Sequence, residues 1–452
     1  MFKFIISSAV LSLLMLSWTY AAVIDVGTHY ILPDDVRTIP ITVSGGDPVR
    51  ALDFFVQVAD GGSDNYGTAT KPVITAINII GPGTIFSPSN VGSHPASLPE
   101  GMIWSDSTNT QPGVTIAAAG TLAYVTVNTA GTHSTDAPYA LSVANVAANY
   151  MYPDYPLSTD FGDITPTINE GQIIIVDLHD MIWNKSGSGV WTEHTWTGSL
   201  PPYPNYTARA TVNTPYNVAV NDAEEANKLT ITGAGSQVSI AASGSLAVTT
   251  SVNVSAGGTL SVAAGAKLTA TGIILDDGTI AGNGSVHPAV TINAGGGTLA
   301  APLASDNLIL DSTTVDGAGG LTKTGLGTAT LLGNALYLGD TTIDSGRLQL
   351  DGANSSLDAI TGDGTLGIGN GASHSVLTAK KIDVNVLELA PGAELVIAAI
   401  PGGPLSSGDI IRQVPEPSTL VLAAIAGLLL GLRTGIPRQF RPFLVPAKHD
   451  TP

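Results

Sequence analysis

Two kinds of hydrophobic pattern divide the chain. Before about residue 176, apolar and polar residues alternate over short segments that Gly, Pro, Asn and Asp separate, so that Leu52, Phe54, Val56 and Val58 share one face. About eight such segments predict a β-sandwich over residues 22–176. The other predicted strands include Ile39–Val43, Val73–Ile80, Thr121–Asn128, Tyr139–Val146 and Gln172–Val176.

A shorter unit repeats over residues 229–411, in which a Gly and a small residue precede alternating apolar residues. The steps from Gly258 to Gly278, Gly278 to Gly297 and Gly346 to Gly364 are 20, 19 and 18 residues. A period near 20 is typical of one turn of a parallel β-helix. We therefore expect a right-handed parallel β-helix of about nine turns, with Leu, Ile and Val inside and Thr, Ser and Asn outside.

Three tryptophans mark the junction between the two patterns, residues 177–228, which we interpret as a linker or cap. Exposed indole rings could stack on sugars, because a flat aromatic face covers apolar C–H surface. The same side chains could instead close the open end of the β-helix, and an open stack of strands needs such a cap. The second interpretation is favoured. The residues are Trp183, Trp191 and Trp196.

The N-terminus has the layout of a secretory signal peptide. Lys3 precedes the apolar run Phe4–Leu16, and small residues Thr19 and Ala21 then occupy the positions that signal peptidase requires for cleavage after Ala21. We therefore expect residues 1–21 to be removed after export through the Sec translocon. An uncleaved anchor helix is disfavoured, because the run is short for a membrane span.

A second targeting pattern occurs near the C-terminus. Val414, Pro415, Glu416 and Pro417 precede an apolar run over residues 419–432, and Arg433 follows. A recognition step, an apolar stop and a positive residue are the parts of a sorting signal. The run predicts a short hydrophobic helix that anchors the chain transiently, being shorter than the roughly 20 residues of a full span.

Composition narrows the functional classes. The 452 residues carry a formal net charge of −19, which disfavours a nucleic-acid partner because phosphates would be repelled. Cysteine is absent, so neither disulfides nor thiolate chemistry contribute. Charged residues make up only 12%, and charged helix formers such as Lys, Glu and Arg are scarce. An all-β extracellular protein is the consistent interpretation.

No catalytic, cofactor or metal site emerges from the sequence. The best catalytic candidate is the pair Asp276 and Asp277, yet adjacent strand residues point to opposite faces and Asp-Gly favours a turn. The histidines have no partner at metal-ligand spacing. We therefore predict no enzyme activity.

Three stretches resemble known families. Strands Ile39–Val43 and Ala51–Val56, followed by Gly120–Val127 and Glu170–Val176, appear in an order that resembles cohesin-like domains. That resemblance implies a sandwich that binds dockerin modules or carbohydrate, or serves as a spacer. No binding residue transfers from it.

The run from Gly319 to Thr328, Gly-Gly-Leu-Thr-Lys-Thr-Gly-Leu-Gly-Thr, lies within residues 316–350 and resembles the autotransporter-associated β-strand repeat. This implies a secreted bacterial β-helix that serves as scaffold.

Val414–Pro417 with the following apolar run resembles the PEP-CTERM sorting signal, placed at residues 414–436, which implies recognition by a membrane exosortase. Unlike that family, the chain continues through a basic tail, residues 437–452.

Together these features favour a non-catalytic cell-surface or extracellular-matrix protein that acts in adhesion or in exopolysaccharide and biofilm architecture. The expected partners are the Sec translocon, signal peptidase, an exosortase and extracellular polysaccharide. Two alternatives stay open. One is a carbohydrate-binding protein that uses the sandwich or the three tryptophans. The other is a β-helix polysaccharide lyase or hydrolase.

Overall fold

The computed structural model describes residues 22–45, 48–58, 72–97, 103–143, 157–159, 162–164, 166–197, 201, 203–312, 314–372, 374–397 and 410–412. The chain divides into two compact units, Met1–Leu178 and His179–Pro452. The described part is all-β, as predicted. The predicted signal peptide, sorting segment, C-terminal helix and basic tail lie outside the described residues. Within those ranges, no helix has the length and apolar character to cross a membrane.

The first unit is a β-sandwich, which confirms the prediction. Its first sheet contains β1 (Val23–Asp25), β3 (Val36–Ser44), β5 (Val73–Asn78), β8 (Gly120–Asn128) and β12 (Thr167–Asn169). Its second sheet contains β2 (Thr28–Ile31), β4 (Ala51–Val58), β6 (Ala96–Ser97), β7 (Ile103–Asn109), β9 (Tyr139–Val143), β10 (Leu157–Thr159), β11 (Gly162–Ile164) and β13 (Gly171–Ile175).

Most pairs in the sandwich are antiparallel. The first sheet has the order β12-β1-β3-β8-β5, and the second has the path β11-β10-β4-β9-β13-β2, with β7 and β6 joined to β4. Among the described strands of the sandwich, only β1 with β12 and β2 with β13 pair in parallel. In β3, every second residue from Ile39 to Val43 is buried, so alternation in the sequence becomes one packed face.

The second unit is a parallel β-helix, again as predicted. Its first face contains β14 (His179–Ile182), β16 (Ala208–Val212), β19 (Lys228–Thr232), β22 (Ser251–Ser255), β25 (Gly272–Asp276), β28 (Ala289–Ile292), β31 (Thr314–Gly317) and β34 (Asn334–Ala335). The second face contains β15 (Gly189–Val190), β17 (Asn217–Val220), β20 (Gln237–Ile240), β23 (Thr259–Val262), β26 (Gly278–Gly282), β29 (Gly297–Ala300), β32 (Leu321–Thr324) and β35 (Thr341–Ile343).

The third face contains β18 (Ala223–Ala226), β21 (Ser245–Val248), β24 (Lys267–Thr269), β27 (Ser285–Val286), β30 (Asn307–Leu310), β33 (Thr328–Leu331) and β36 (Arg347–Leu350). The last turns are β37 (Asn354–Ile368), β38 (Val376–Leu389), β39 (Glu394–Ile397) and β40 (Ile410–Arg412). Strands of successive turns pair in parallel, except that β24 and β27 on the third face are not paired, so that β18, β21 and β24 form a sheet of their own. The pair β39 and β40 is antiparallel.

Inward side chains stack in columns along the β-helix. On the second face, one column places residues from seven successive turns in direct register. All of them are buried, and a lysine occupies one otherwise apolar position. The column is Val218, Val238, Leu260, Ile280, Leu299, Lys323 and Ile343.

The β-helix begins earlier than predicted. We expected it at Leu229, after a linker over residues 177–228, but β14 already pairs with β16 and β15 with β17 in the same sheets. The linker interpretation is therefore wrong for the strands from His179 onward. Their alternation was present in the sequence, but these turns lack the regular Gly spacing on which the predicted boundary relied.

Candidate functional site

The three junction tryptophans form one buried cluster at the first turns of the β-helix. Trp183, Trp191 and Trp196 expose only 1%, 1% and 5% of their surface. The ring of Trp196 lies 5.2 Å from that of Trp183, edge-on, and 5.2 Å from that of Trp191. Aromatic pairs at such distances and angles are favourable beyond the area they bury.

Each indole N–H in this tryptophan cluster has an acceptor. Trp183 donates to the carbonyl oxygen of Gly187 at 3.3 Å, Trp191 to that of Pro204 at 3.0 Å, and Trp196 to that of Trp191 at 2.9 Å. The backbone N–H groups of Trp183 and Trp191 both donate to carbonyls of the next turn. The rings are thus held in place from both the side chain and the backbone.

Their burial bears directly on the two interpretations made from the sequence. A sugar ring needs an exposed indole face, and none of these three side chains presents one. The three side chains instead belong to the buried hydrophobic core that continues through Val218 and Val220 of strand β17. The cluster therefore forms part of that core at the first turns of the β-helix.

The candidate acidic pair forms a corner of the β-helix. The backbone of Gly295 donates to Oδ1 of Asp276 at 2.9 Å, and Asp277 has a left-handed backbone with φ of 60°. Asp277 also donates its backbone N–H to the carbonyl oxygen of Gly296 at 2.7 Å. Asp tolerates this conformation better than most residues. The structure thus assigns both residues a role in holding the turn.

A shallow groove lies beside this corner. It has a volume of about 290 Å³, and glycines line much of it. Thr298 and Thr322 of two successive second-face strands reach it, together with the carboxylates Asp277 and Asp340. Carboxylates accept hydrogen bonds, and hydroxyls both donate and accept them, so the groove suits a hydroxyl-bearing ligand.

One basic and one acidic side chain occupy inward positions of the β-helix. Neither of them was identified from the sequence. Lys323 is fully buried and donates through Nζ to the carbonyl oxygens of Thr324, Gly325 and Ser345, at 2.7, 2.8 and 3.3 Å. Burial lowers its pKa to about 8. Glu224 lies in register with Leu246, and burial, then Asp222 and Glu225, raise its pKa to about 7.

Both groups could have been found in the sequence. Each occupies an apolar position of an alternating segment, Lys323 between Leu321 and the corner at Gly325, and Glu224 two residues before buried Ala226. A charged residue at an inward position is the signal. Among the described residues, no group of three acidic or histidine side chains is arranged to hold a metal ion.

The sorting-signal residues Val414, Pro415, Glu416 and Pro417 and the cleavage residue Ala21 lie outside the described residues. Comparison with known proteins gives partial matches. No protein-family model matches the sequence. A segment of 55 residues is 51% identical to part of an extracellular serine protease from Serratia marcescens. That match covers 12% of this chain and 5% of the protease, so the chain spans about a twentieth of that relative's length.

Solved structures of cohesins are similar to the sandwich. The sixth cohesin of scaffoldin B from Acetivibrio cellulolyticus, solved in complex with a dockerin, is 13% identical, with 35% of this chain and all of that chain covered and a TM-score of 0.27. A non-cellulosomal cohesin from Archaeoglobus fulgidus is 12% identical, covering 35% and 93%, with a TM-score of 0.25. A likeness at this level concerns the fold and not a binding partner.

Proposed function

We propose that this chain is a non-catalytic bacterial surface or extracellular-matrix protein whose β-helix serves as a rigid scaffold in adhesion or in exopolysaccharide and biofilm architecture. One observation carries the proposal. On the second face, the strands of the β-helix stack in parallel from β15 to β37, and the tryptophan cluster belongs to the same hydrophobic core at its first turns. Such a stack is a rigid spacer along its axis, and it needs no ligand to be stable.

In this proposal, the targeting signals are at the two ends of the chain. Residues 1–21 carry the features of a signal peptide, and Val414–Pro417 with the apolar run after it carries those of a PEP-CTERM signal. In this proposal the chain crosses the inner membrane through the Sec translocon, is held briefly by residues 419–432, and is released by an exosortase. The net charge of −19 supports solubility in an extracellular setting.

The sorting step is tested in an exopolysaccharide-producing Gram-negative host with and without its exosortase. We expect the triple substitution Pro415→Ala, Glu416→Ala and Pro417→Ala to leave the protein in the membrane fraction, as loss of the exosortase does. Pro437→Ala is the matched control, because it removes a proline beyond the signal. Equal release of all forms into the medium contradicts the sorting proposal.

The architectural role is tested separately by deleting the gene and measuring matrix mass and surface attachment. We expect both to fall and to recover with the intact gene but not with the triple variant. A deletion strain that matches the parent in both measurements contradicts the role. A polysaccharide turnover screen with purified protein checks the non-catalytic assignment, and cleavage that Asp276→Ala abolishes would replace it with the lyase or hydrolase alternative.

A further inference from the structure

Threonines form an unbroken ladder on the outer surface of the second face. Six of them come from six successive turns, each in direct register with the next. All are partly exposed, and they alternate with the inward column that contains Leu299. Neighbouring parallel strands lie about 4.8 Å apart, so hydroxyls recur at that spacing. The threonine ladder is Thr259, Thr279, Thr298, Thr322, Thr342 and Thr361.

The ladder itself contains no charged residue, and the outward column beside it is uncharged from Ser261 to Thr324, whereas exposed Asp344 and Asp363 follow Thr342 and Thr361. The adjacent outward positions are Ser261, Ala281, Ala300 and Thr324. The first face carries outward Arg209, Lys228, Asp276 and Asp316, and the third carries Glu225, Lys267, Arg347 and Glu388. Within the described β-helix, uncharged outward positions with regular hydroxyls are therefore found on the second face over the turns from β23 to β32.

The corner groove opens onto the same surface. Thr298 and Thr322 belong both to the ladder and to the groove lining, which also includes the acidic residues Asp277 and Asp340. Oδ1 of Asp340 accepts a hydrogen bond from the backbone N–H of Ala359 at 3.2 Å. Gly295, Gly296 and Gly320 also line the groove, and no side chain projects from them. Sugar hydroxyls can donate to the carboxylates and exchange hydrogen bonds with the threonines.

We propose that the threonine ladder and the adjoining groove form a binding surface for a neutral polysaccharide. An anionic polymer would be repelled by the two carboxylates and by the net charge of −19. Because the contacts repeat along the axis, one long polymer engages several turns at once, and its affinity exceeds that of a short oligosaccharide. The inference deepens the proposed function by naming the matrix partner, and it rests on that function only for the extracellular setting.

The test uses the full secreted protein in affinity electrophoresis through gels that contain barley β-glucan, galactomannan, dextran or anionic alginate. We expect at least one neutral polymer to retard the protein and alginate not to retard it. Short oligosaccharides of that neutral polymer should retard the protein less than the polymer itself does. The variant with Thr298→Val and Thr322→Val removes two hydroxyls without changing side-chain shape. It should weaken binding by about threefold to tenfold for each hydroxyl lost.

The matched control carries Thr211→Val and Thr230→Val, an outward pair in the same direct register on the first face. It should bind as the parent does. Asp277→Asn is a second probe, because Asn tolerates the left-handed backbone at this exposed corner and removes only the charge. It should weaken binding severalfold while the melting temperature stays constant.

Several outcomes overturn the proposal. They are the absence of retardation by every neutral polymer, stronger retardation by alginate, and equal losses in the ladder and control variants. Self-association that only the ladder variant abolishes, without glycan binding, would assign the surface to a second copy of the chain. All these assays use purified protein, so a failure of sorting in cells leaves their result unaffected.

Discussion

The side chain of Lys323 reaches from its own turn of the β-helix to the next, where Nζ donates to the carbonyl oxygen of Ser345 at 3.3 Å. Two further bonds hold it to the carbonyls of Thr324 and Gly325 in its own corner. Lys323 lies in register between Leu299 and Ile343, so one ammonium group joins two turns inside an apolar column. The contacts offset part of the cost of burying a charge.

We expect Lys323→Met to lower the free energy of unfolding by about 1–3 kcal/mol at pH 7, because three buried carbonyls lose a donor while the volume is kept. Chemical denaturation monitored by circular dichroism measures this. Lys267→Met, an exposed lysine on the third face, is the control and should change stability by less than about 0.5 kcal/mol. A Met variant as stable as the parent would contradict a joining role.

The same residue predicts a dependence on pH. Its folded pKa of about 8 is below the unfolded value of 10.5, so the unfolded chain binds more protons between those values. Stability relative to Lys323→Met should therefore rise between pH 8 and 10.5, by up to about 3 kcal/mol. Comparing the two proteins in the same buffers cancels the other titrating groups. A constant difference would show that the folded pKa is not lowered.

Glu224 should have the opposite effect at lower pH. Its folded pKa of about 7 is above the ordinary 4.5, so its contribution to stability is present in acid and is lost as the pH rises through 7. Glu224→Gln should raise the free energy of unfolding at pH 8 by about 1 kcal/mol, allowing for partial exposure, and leave it unchanged at pH 4. Thermal melts of both proteins at pH 8 and pH 4 test this. An equal effect of the substitution at the two pH values would refute the raised pKa of Glu224.

The tryptophan cluster predicts a local effect on the β-helix. Trp191→Ala should destabilise the second unit by about 3–5 kcal/mol, because it opens a cavity in the core at the first turns of the β-helix. Scanning calorimetry should show the transition of that unit at a lower temperature. Trp104→Phe is the comparison in the first unit, where the indole donates to the carbonyl oxygen of Ile74 at 2.7 Å. If Trp191→Ala melts like the parent, the cluster does not stabilise the core.

A tight corner predicts which glycine resists substitution. A Cβ on Gly320 would lie 2.5 Å from the carbonyl oxygen of Asp340, so Gly320→Ala should cost about 1–3 kcal/mol of stability. At Gly272 the nearest atom, the carbonyl oxygen of Ala289, would be 3.5 Å away, and Gly272→Ala should be tolerated. Urea titration of the two variants distinguishes them, and equal midpoints would contradict the packing argument.

The chain ends predict the mass of the mature protein. Cleavage after Ala21 and loss of the tail should yield a surface form that begins at Ala22 and lacks Pro452. Intact-mass spectrometry of protein from the cell surface, with N-terminal sequencing, measures both ends. Pro452 in that material would contradict removal of the tail.

Alternation and Gly spacing predicted both folds correctly, because the side-chain period of a strand and the length of a β-helix turn are local properties of the chain. The start of the β-helix was placed too late, because residues 179–226 pair with later turns without carrying the Gly signal. Local sequence cannot report pairing between strands that are about 20 residues apart unless a repeat marks them.

By itself, the sequence determined the all-β class, the sandwich and the repeating β-helix, since each depends on residue type and spacing, and it predicts the targeting patterns at both ends. The tertiary structure alone decided that Trp183, Trp191 and Trp196 meet in the core, that Asp276 holds a corner, and that six threonines align on the second face. Those relationships depend on register between turns. A shift of one residue would turn every inward side chain outward, and only the packed stack selects the register.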